Sequence, residues 1–174
     1  EANLDWATKL RDAGAKVIPG ISGLKVHSKL CLITRREKGA KVYYACIGTG
    51  NLHEKTARIY TDAMLLTCNQ TLTKEARLLF SFFDKNYSVP KFNHLLVAPF
   101  NLQSKLKTLI NKEIKNAKAG KKAEIILKLN NLVDEDVIEK LYVAGKAGVK
   151  IKLIVRGINS IIPQISGFSD NIEA

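Results

Sequence analysis

Apolar residues along the chain repeat with two periods, one suited to helices and one to strands, and the two alternate. Leu4, Ala7 and Leu10, with Trp6 beside them, mark a helix over residues 4–13 that Gly14 stops. Lys16–Ile18 is apolar enough for a short strand, broken by Pro19-Gly20, and Ser22-Gly23 is a turn. From Leu24 to Ile33 the alternation is strict. Leu24, Val26, Ser28, Leu30 and Leu32 share one face, and Lys25, His27, Lys29, Cys31 and Ile33 share the other. Residues 35–41 read as a charged hairpin loop around Gly39, and Val42–Ile47, rich in β-formers, returns. Gly48-Thr49-Gly50-Asn51 is a tight turn and Asp62–Thr67 a further strand. Leu72, Ala76, Leu79, Phe80 and Phe83 make residues 71–83 an amphipathic helix, capped by Asn69 or Thr71.

The pattern pauses over Asp84–Lys91, a polar stretch containing Pro90, which places a domain boundary there: residues 1–90 and 91–174. His94–Ala98 suggests a buried strand. Residues 104–119 predict a helix with Leu106, Leu109, Ile110, Ile114 and Ala117 inward; Lys105, Lys107, Lys112, Lys115 and Lys118 form its other face, read as solvated. A strand at 124–129, a turn at Asn130-Asn131, a helix at 134–146 with an acidic first turn and a strand at 149–155 follow, ending in Arg156-Gly157. Ala13-Gly14-Ala15-Lys16-Val17 is echoed by Ala147-Gly148-Val149-Lys150-Ile151, as two copies of one α/β unit would leave behind.

Composition narrows the classes. With 46% hydrophobic residues the chain can offset its entropy by burial, which excludes global disorder. No apolar run is long enough to cross a bilayer, and the acidic opening Glu1-Ala2-Asn3-Leu4-Asp5-Trp6 is no signal peptide. A first residue other than Met suggests a piece of something longer. The formal net charge of +12 favours a polyanionic partner, while an aromatic share of 7% leaves little for a base-stacking platform. Cys31, Cys46 and Cys68 are odd in number and contain no C-x-x-C pair, which argues against structural zinc and for a reducing compartment.

His27 is the first candidate for chemistry. On a strand, His27 and Lys29 point to one face, with Lys25 flanking; their charge disfavours a protonated ring and would hold a phosphate near a nucleophilic nitrogen. A solvated strand face is the plainer alternative. Gly48-Thr49-Gly50-Asn51 closes the strand expected to pair with it, where glycines let backbone amides approach an anion and Asn51 adds a donor. Arg58 suits a bidentate phosphate contact, Tyr60 a stacked base or a hydrogen bond, and Arg156 ends a strand where α/β sheets bind ligands. Each could equally be a surface residue. His94 reads as structural and His53 as a loop residue.

In order, His27-Ser28-Lys29, Ile47-Gly48-Thr49-Gly50-Asn51, Glu54-Lys55-Thr56-Ala57-Arg58, Tyr60-Thr61-Asp62, Leu127–Leu132, Val155-Arg156-Gly157 and Ser169-Asp170-Asn171-Ile172 resemble the bacterial polyphosphate kinase family across nearly the whole chain. The resemblance implies an α/β fold of phospholipase-D-like domains, each a mixed sheet flanked by helices. Residues 1–90 would be the first, lacking its N-terminal edge, and 91–174 the opening of the second. It also implies reversible transfer of the ATP γ-phosphate to inorganic polyphosphate through a phosphohistidine. By position His27 would be the nucleophile, Tyr60 and Arg156 nucleotide-binding residues, and Lys29, Asn51 and Arg58 phosphate-binding ones. Mg²⁺ is the implied cofactor, with its arginines upstream of Glu1 and a second catalytic His beyond Ala174. ATP or ADP and polyphosphate are the implied partners, without specific nucleic acid. The parent would be a homo-oligomer in the cytoplasm, free or membrane-associated. Two departures stand out. Thr34 occupies the place of the Asp in the wider phospholipase-D motif, which speaks against a phosphodiesterase or nuclease, and Cys46 stands where some family members have His. A basic, non-catalytic nucleic-acid binder is the other rival, supported by charge alone.

Overall fold

In the computed structural model, which describes residues 2–174 and side chains from Leu4 onward, much of the stretch expected to loop at 35–41 is instead strand. Glu1, where the first expected domain begins, lies outside the described residues. β1 (Lys29–Glu37) and β2 (Ala40–Gly48) run antiparallel to a two-residue turn at Lys38-Gly39, both with positive φ (48° and 82°). That turn twists in the sense of the strands it joins, so the charged residues can remain paired on the hairpin. β3 (Met64–Thr67) adds to β2 only along Ala45–Gly48. Beyond it, Gln70 takes over the ladder: the Tyr43 amide donates to Gln70 Oε1 (3.2 Å) and Gln70 Nε2 donates to the Tyr43 carbonyl (3.0 Å).

The chain forms two units, Glu1–Leu95 and Leu96–Ala174. In the first, α1 (Ala2–Asp12) forms as the periodicity requires, yet Leu4, Trp6 and Leu10 are exposed. Lys16–Ile18 and His94–Ala98 are not strands. α3 (Gln70–Asp84) is capped by Asn69, whose Oδ1 accepts from the amides of Thr71 and Leu72, and it buries Ala76, Leu79 and Phe82. Ala45 of β2 is buried as well.

The amides at 93–95 have another use. Glu75, on α3 and 7% exposed, accepts from the backbone of Asn93 (2.9 Å), His94 (3.1 Å) and Leu95 (2.9 Å), and from His94 Nδ1 (3.1 Å). Burial by itself raises this carboxyl, but the amides of Leu95 and Asn93 and the ring and amide of His94 outweigh it and hold the pKa at about 2. A folded value below the unfolded one of 4.5 means stability that is complete above that pH and lost as pH falls towards 2. Glu75→Gln is expected to cost on the order of 2–3 kcal/mol near neutral pH. In thermal melts the gap to wild type should close towards pH 2, and a gap that stays constant would disprove the assignment.

The second unit is parallel. β4 (Glu124–Leu129) and β5 (Lys150–Val155) pair in register, and β6 (Ile172–Glu173), too short for periodicity to reveal, adds to β5. α4 (Leu102–Lys118) and α5 (Glu135–Lys146) supply Ile110, Ile114, Leu141 and Ala144 to a core with Ile125, Val149, Ile151, Leu153 and Ile172. Leu109, expected inward, is 53% exposed. Asp134 caps α5 through the Val137 amide (3.0 Å). The Ser169–Ile172 motif anchors the returning loop: Ser169 Oγ donates to the Ile162 carbonyl (2.9 Å) and Asn171 Nδ2 to that of Gly145 (3.0 Å).

The sequence echo has a local cause. Ala15 donates to Leu10 and Val149 to Ala144, each just past a positive-φ glycine, Gly14 or Gly148; Lys121 donates to Asn116 past Gly120 in the same way. These are helix ends of one type, and such ends recur without duplication. Among the described residues no helix is long and apolar enough to cross a membrane.

Candidate active site

The register of the first sheet brings most of the expected site residues to one end. Lys29, the first residue of β1, pairs with Gly48, the last of β2, and Gly48 pairs with Met64, the first of β3. The segments just outside these three positions carry His27, Thr49-Gly50-Asn51 and Tyr60-Thr61-Asp62, so three sequence motifs converge because three strands end together. β1 begins later than the alternation suggested, which leaves His27 in the segment leading into it. The two side chains still meet. Lys29 Nζ donates to the His27 carbonyl oxygen (2.7 Å) and lies 3.0 and 3.1 Å from its Nδ1 and Nε2. The ammonium is thus nearly equidistant from the two ring nitrogens. His27 is exposed and Lys29 half-buried.

The glycine turn is held by Asp62, the last residue of the Tyr60-Thr61-Asp62 motif and not among the expected site residues. Thr49 Oγ1 donates to Asp62 Oδ1 (3.1 Å) and accepts from the Ala63 amide (3.0 Å), while the Thr49 amide donates to the Ala63 carbonyl (3.1 Å). Gly50 is buried, and a Cβ there would fall on the Asp62 carboxylate. The glycine therefore makes room for Asp62, and the Thr49 amide is already engaged. The signal was present in Tyr60-Thr61-Asp62, but one carboxylate in a loop has no spacing that announces a clamp.

The connection from β2 to β3 contains the short helix α2 (Glu54–Ala57). His53 caps it, its Nδ1 accepting from the Thr56 amide at 3.4 Å. Asn51 is exposed beside the turn. Arg58 is paired with Glu54 one helical turn earlier, at 2.5 Å, both side chains largely exposed. Such a pair is worth about 0.2–1 kcal/mol and exchanges readily for a better anion. Tyr60 is 45% exposed. Thr34 pairs with Tyr43 midway along β1, away from the Lys29 end, so no acid reaches the site from that position. Cys46 shares an apolar groove with Cys31, Ile33, Leu66 and Cys68, its Sγ 2.9 Å from Met64 Sδ.

Arg156 belongs to the second unit and follows β5 directly, its amide donating to the Leu129 carbonyl (3.2 Å). Gly157 donates to the Asn130 carbonyl (2.8 Å), and Asn131 Oδ1 accepts from the Ile158 amide (2.9 Å). A Cβ at Gly157 would stand 2.5 Å from Asn131 Oδ1, so the turn that presents Arg156 requires glycine. The Leu-Asn-Asn-Leu motif thus serves to shape the Arg156 turn.

Comparison with known proteins follows this division. Residues 1–89 match the family model described as polyphosphate kinase C-terminal domain 1, and residues 95–174 match polyphosphate kinase C-terminal domain 2. The polyphosphate kinase of Vibrio cholerae serotype O1 is 55% identical over 173 residues, 99% of this chain and 25% of that protein. That of Escherichia coli K12 is 48% identical over 174 residues, 100% of this chain and 25% of its own length. The crystal structure of polyphosphate kinase from Porphyromonas gingivalis superposes with a TM-score of 0.86 at 39% identity, covering 98% of this chain and 28% of that one. The chain spans about a quarter of the length of the curated relatives it matches.

Proposed function

This chain belongs to the polyphosphate kinase family, and from that premise we propose that it supplies the nucleophile and part of the phosphate site of an ATP:polyphosphate phosphotransferase. The observation that supports this reading best is the Lys29 ammonium beside the His27 ring, at the strand end that also carries the Gly48–Asn51 turn. A neutral ring nitrogen of His27 attacks the γ-phosphorus of ATP as the bond to the ADP oxygen breaks, leaving a phosphohistidine. A terminal oxygen of polyphosphate then attacks that phosphorus, the P–N bond breaks, and the chain leaves one phosphate longer. Lys29 and Asn51 stabilise the equatorial oxygens, and Arg58 exchanges Glu54 for phosphate. Tyr60 contacts the nucleotide and Arg156 neutralises charge on it.

Mg²⁺, when bound with the nucleotide, would supply neutralisation of its phosphate charge. Among the described residues no three His, Cys, Asp or Glu side chains converge.

The test is chemical. The polyphosphate kinase carrying this sequence, incubated with γ-labelled ATP and Mg²⁺, is expected to retain label that acid removes and base does not. Acid-stable label, or no label during turnover, would refute the phosphohistidine.

A further inference from the structure

The outward side of α4 bears lysines at 105, 112, 115 and 118, all exposed. Among the described residues none of the four has an ion-pair partner. The other lysine grouped with them, Lys107, is different: it turns to Asp136 at 2.7 Å. The helix has one acid, Glu113, and it faces away, accepting from Asn116 Nδ2 (3.0 Å) and the Glu124 amide (3.4 Å). Between the first and last of the four lysines the other exposed positions are Thr108, Leu109 and Asn111, so the band contains no counter-charge. Lys112 and Lys115, and Lys115 and Lys118, are three apart, a spacing at which like charges weaken a helix. A merely solvated face is ordinarily mixed in sign. Lysine rather than arginine suits a flexible chain of phosphates followed by point charges rather than gripped by planar forks. From first to last the band is about 20 Å long, which suits a linear polyanion better than a nucleotide.

We infer that the outer face of α4 is a secondary binding site for inorganic polyphosphate, taking chains long enough to span the lysine band. This rests on the phosphotransferase reading for the identity of the polyanion. The test compares K105Q/K112Q/K115Q/K118Q with a control losing the same charge from the first unit, K41Q/K74Q/K85Q/K91Q. Binding of polyphosphate of roughly a hundred units, and of tripolyphosphate, is measured over a range of salt on variants matched by circular dichroism; K112Q/K115Q serves if the quadruple variant folds poorly. The α4 variant should lose about tenfold or more in affinity for the long chain, with the log–log salt dependence shallower by about three. Tripolyphosphate binding should be unchanged, and the control should lose less. Equal loss in both variants, or none in the α4 variant, overturns the site while leaving the phosphotransferase reading intact. No binding of polyphosphate by wild type overturns both.

Discussion

Replacing His27 with alanine in the polyphosphate kinase that carries this sequence is expected to lower turnover by about four orders of magnitude or more and to abolish the phosphoenzyme. The size follows from the role. If the ring nitrogen forms the bond to phosphorus, nothing in its place can do so, because Lys29 is an ammonium without a lone pair. Lys29→Ala should behave differently. Losing one preorganised cation costs about 10²–10³ in rate while leaving the nucleophile in place, so label should still appear, only slowly. The ring would also lose the contacts near 3 Å that hold it at the strand end. Comparing initial rates and label in the two variants separates the roles. Label retained by His27→Ala would move the nucleophile elsewhere, and Lys29→Ala with wild-type rates would return Lys29 to the solvated surface.

Gly50→Ala should lower the rate less but cost stability as well, although Gly50 is no candidate for chemistry. A methyl group there falls on the Asp62 carboxylate, which must then leave Thr49, and the turn joining β2 to the rest of the site loses its anchor. Overpacking of this kind costs about 1–3 kcal/mol. The accompanying shift of Asn51 and its neighbours should cost a further hundredfold or so in rate, as small misplacements in a site do. A second substitution distinguishes this cause from a general intolerance of side chains. Asp62→Gly removes the obstacle, including the Asp62 Cβ that would stand 2.7 Å away, so the double variant should recover most of the stability lost by Gly50→Ala, with strong coupling between the two changes. It should recover little activity, because Thr49 still lacks its acceptor. Additive stability losses would mean that Gly50 is needed for its backbone freedom and not for the space it leaves.

Most of the fold was legible because the core is built from periodic elements. α3 followed from its apolar stripe and from Asn69 ahead of it, and α5 from its acidic first turn, of which Asp134 is the cap. Misreadings arose where a distant group competed for a local segment. His94–Ala98 has the composition of a strand, but the amides at its start are taken by Glu75, about twenty residues earlier, and only packing could bring that carboxylate there. Residues 35–41 have the composition of a loop, but a two-residue turn at Lys38-Gly39 keeps most of them paired. Leu109 fits an apolar spacing but lies at its margin.

The site divides in the same way. His27-x-Lys29, the glycine turn and Arg156-Gly157 are contiguous motifs, so the residue types proposed to bind and transfer phosphate can be named from local spacing and from resemblance. Their meeting could not. Lys29 lies beside Gly48, and Gly48 beside Met64, because a hairpin turn of one length sets the register of β1 on β2, and the first four residues of the next strand complete the sheet. Asp62 acquires its role only then, since a carboxylate in a loop is unremarkable until Gly50 is folded against it. Local sequence thus determined the chemistry available and the helices and strands that carry it, through periodicity, caps and turns. Tertiary structure decided which groups touch, because strand register, close backbone approach and the burial of Glu75 each depend on residues far apart in the chain.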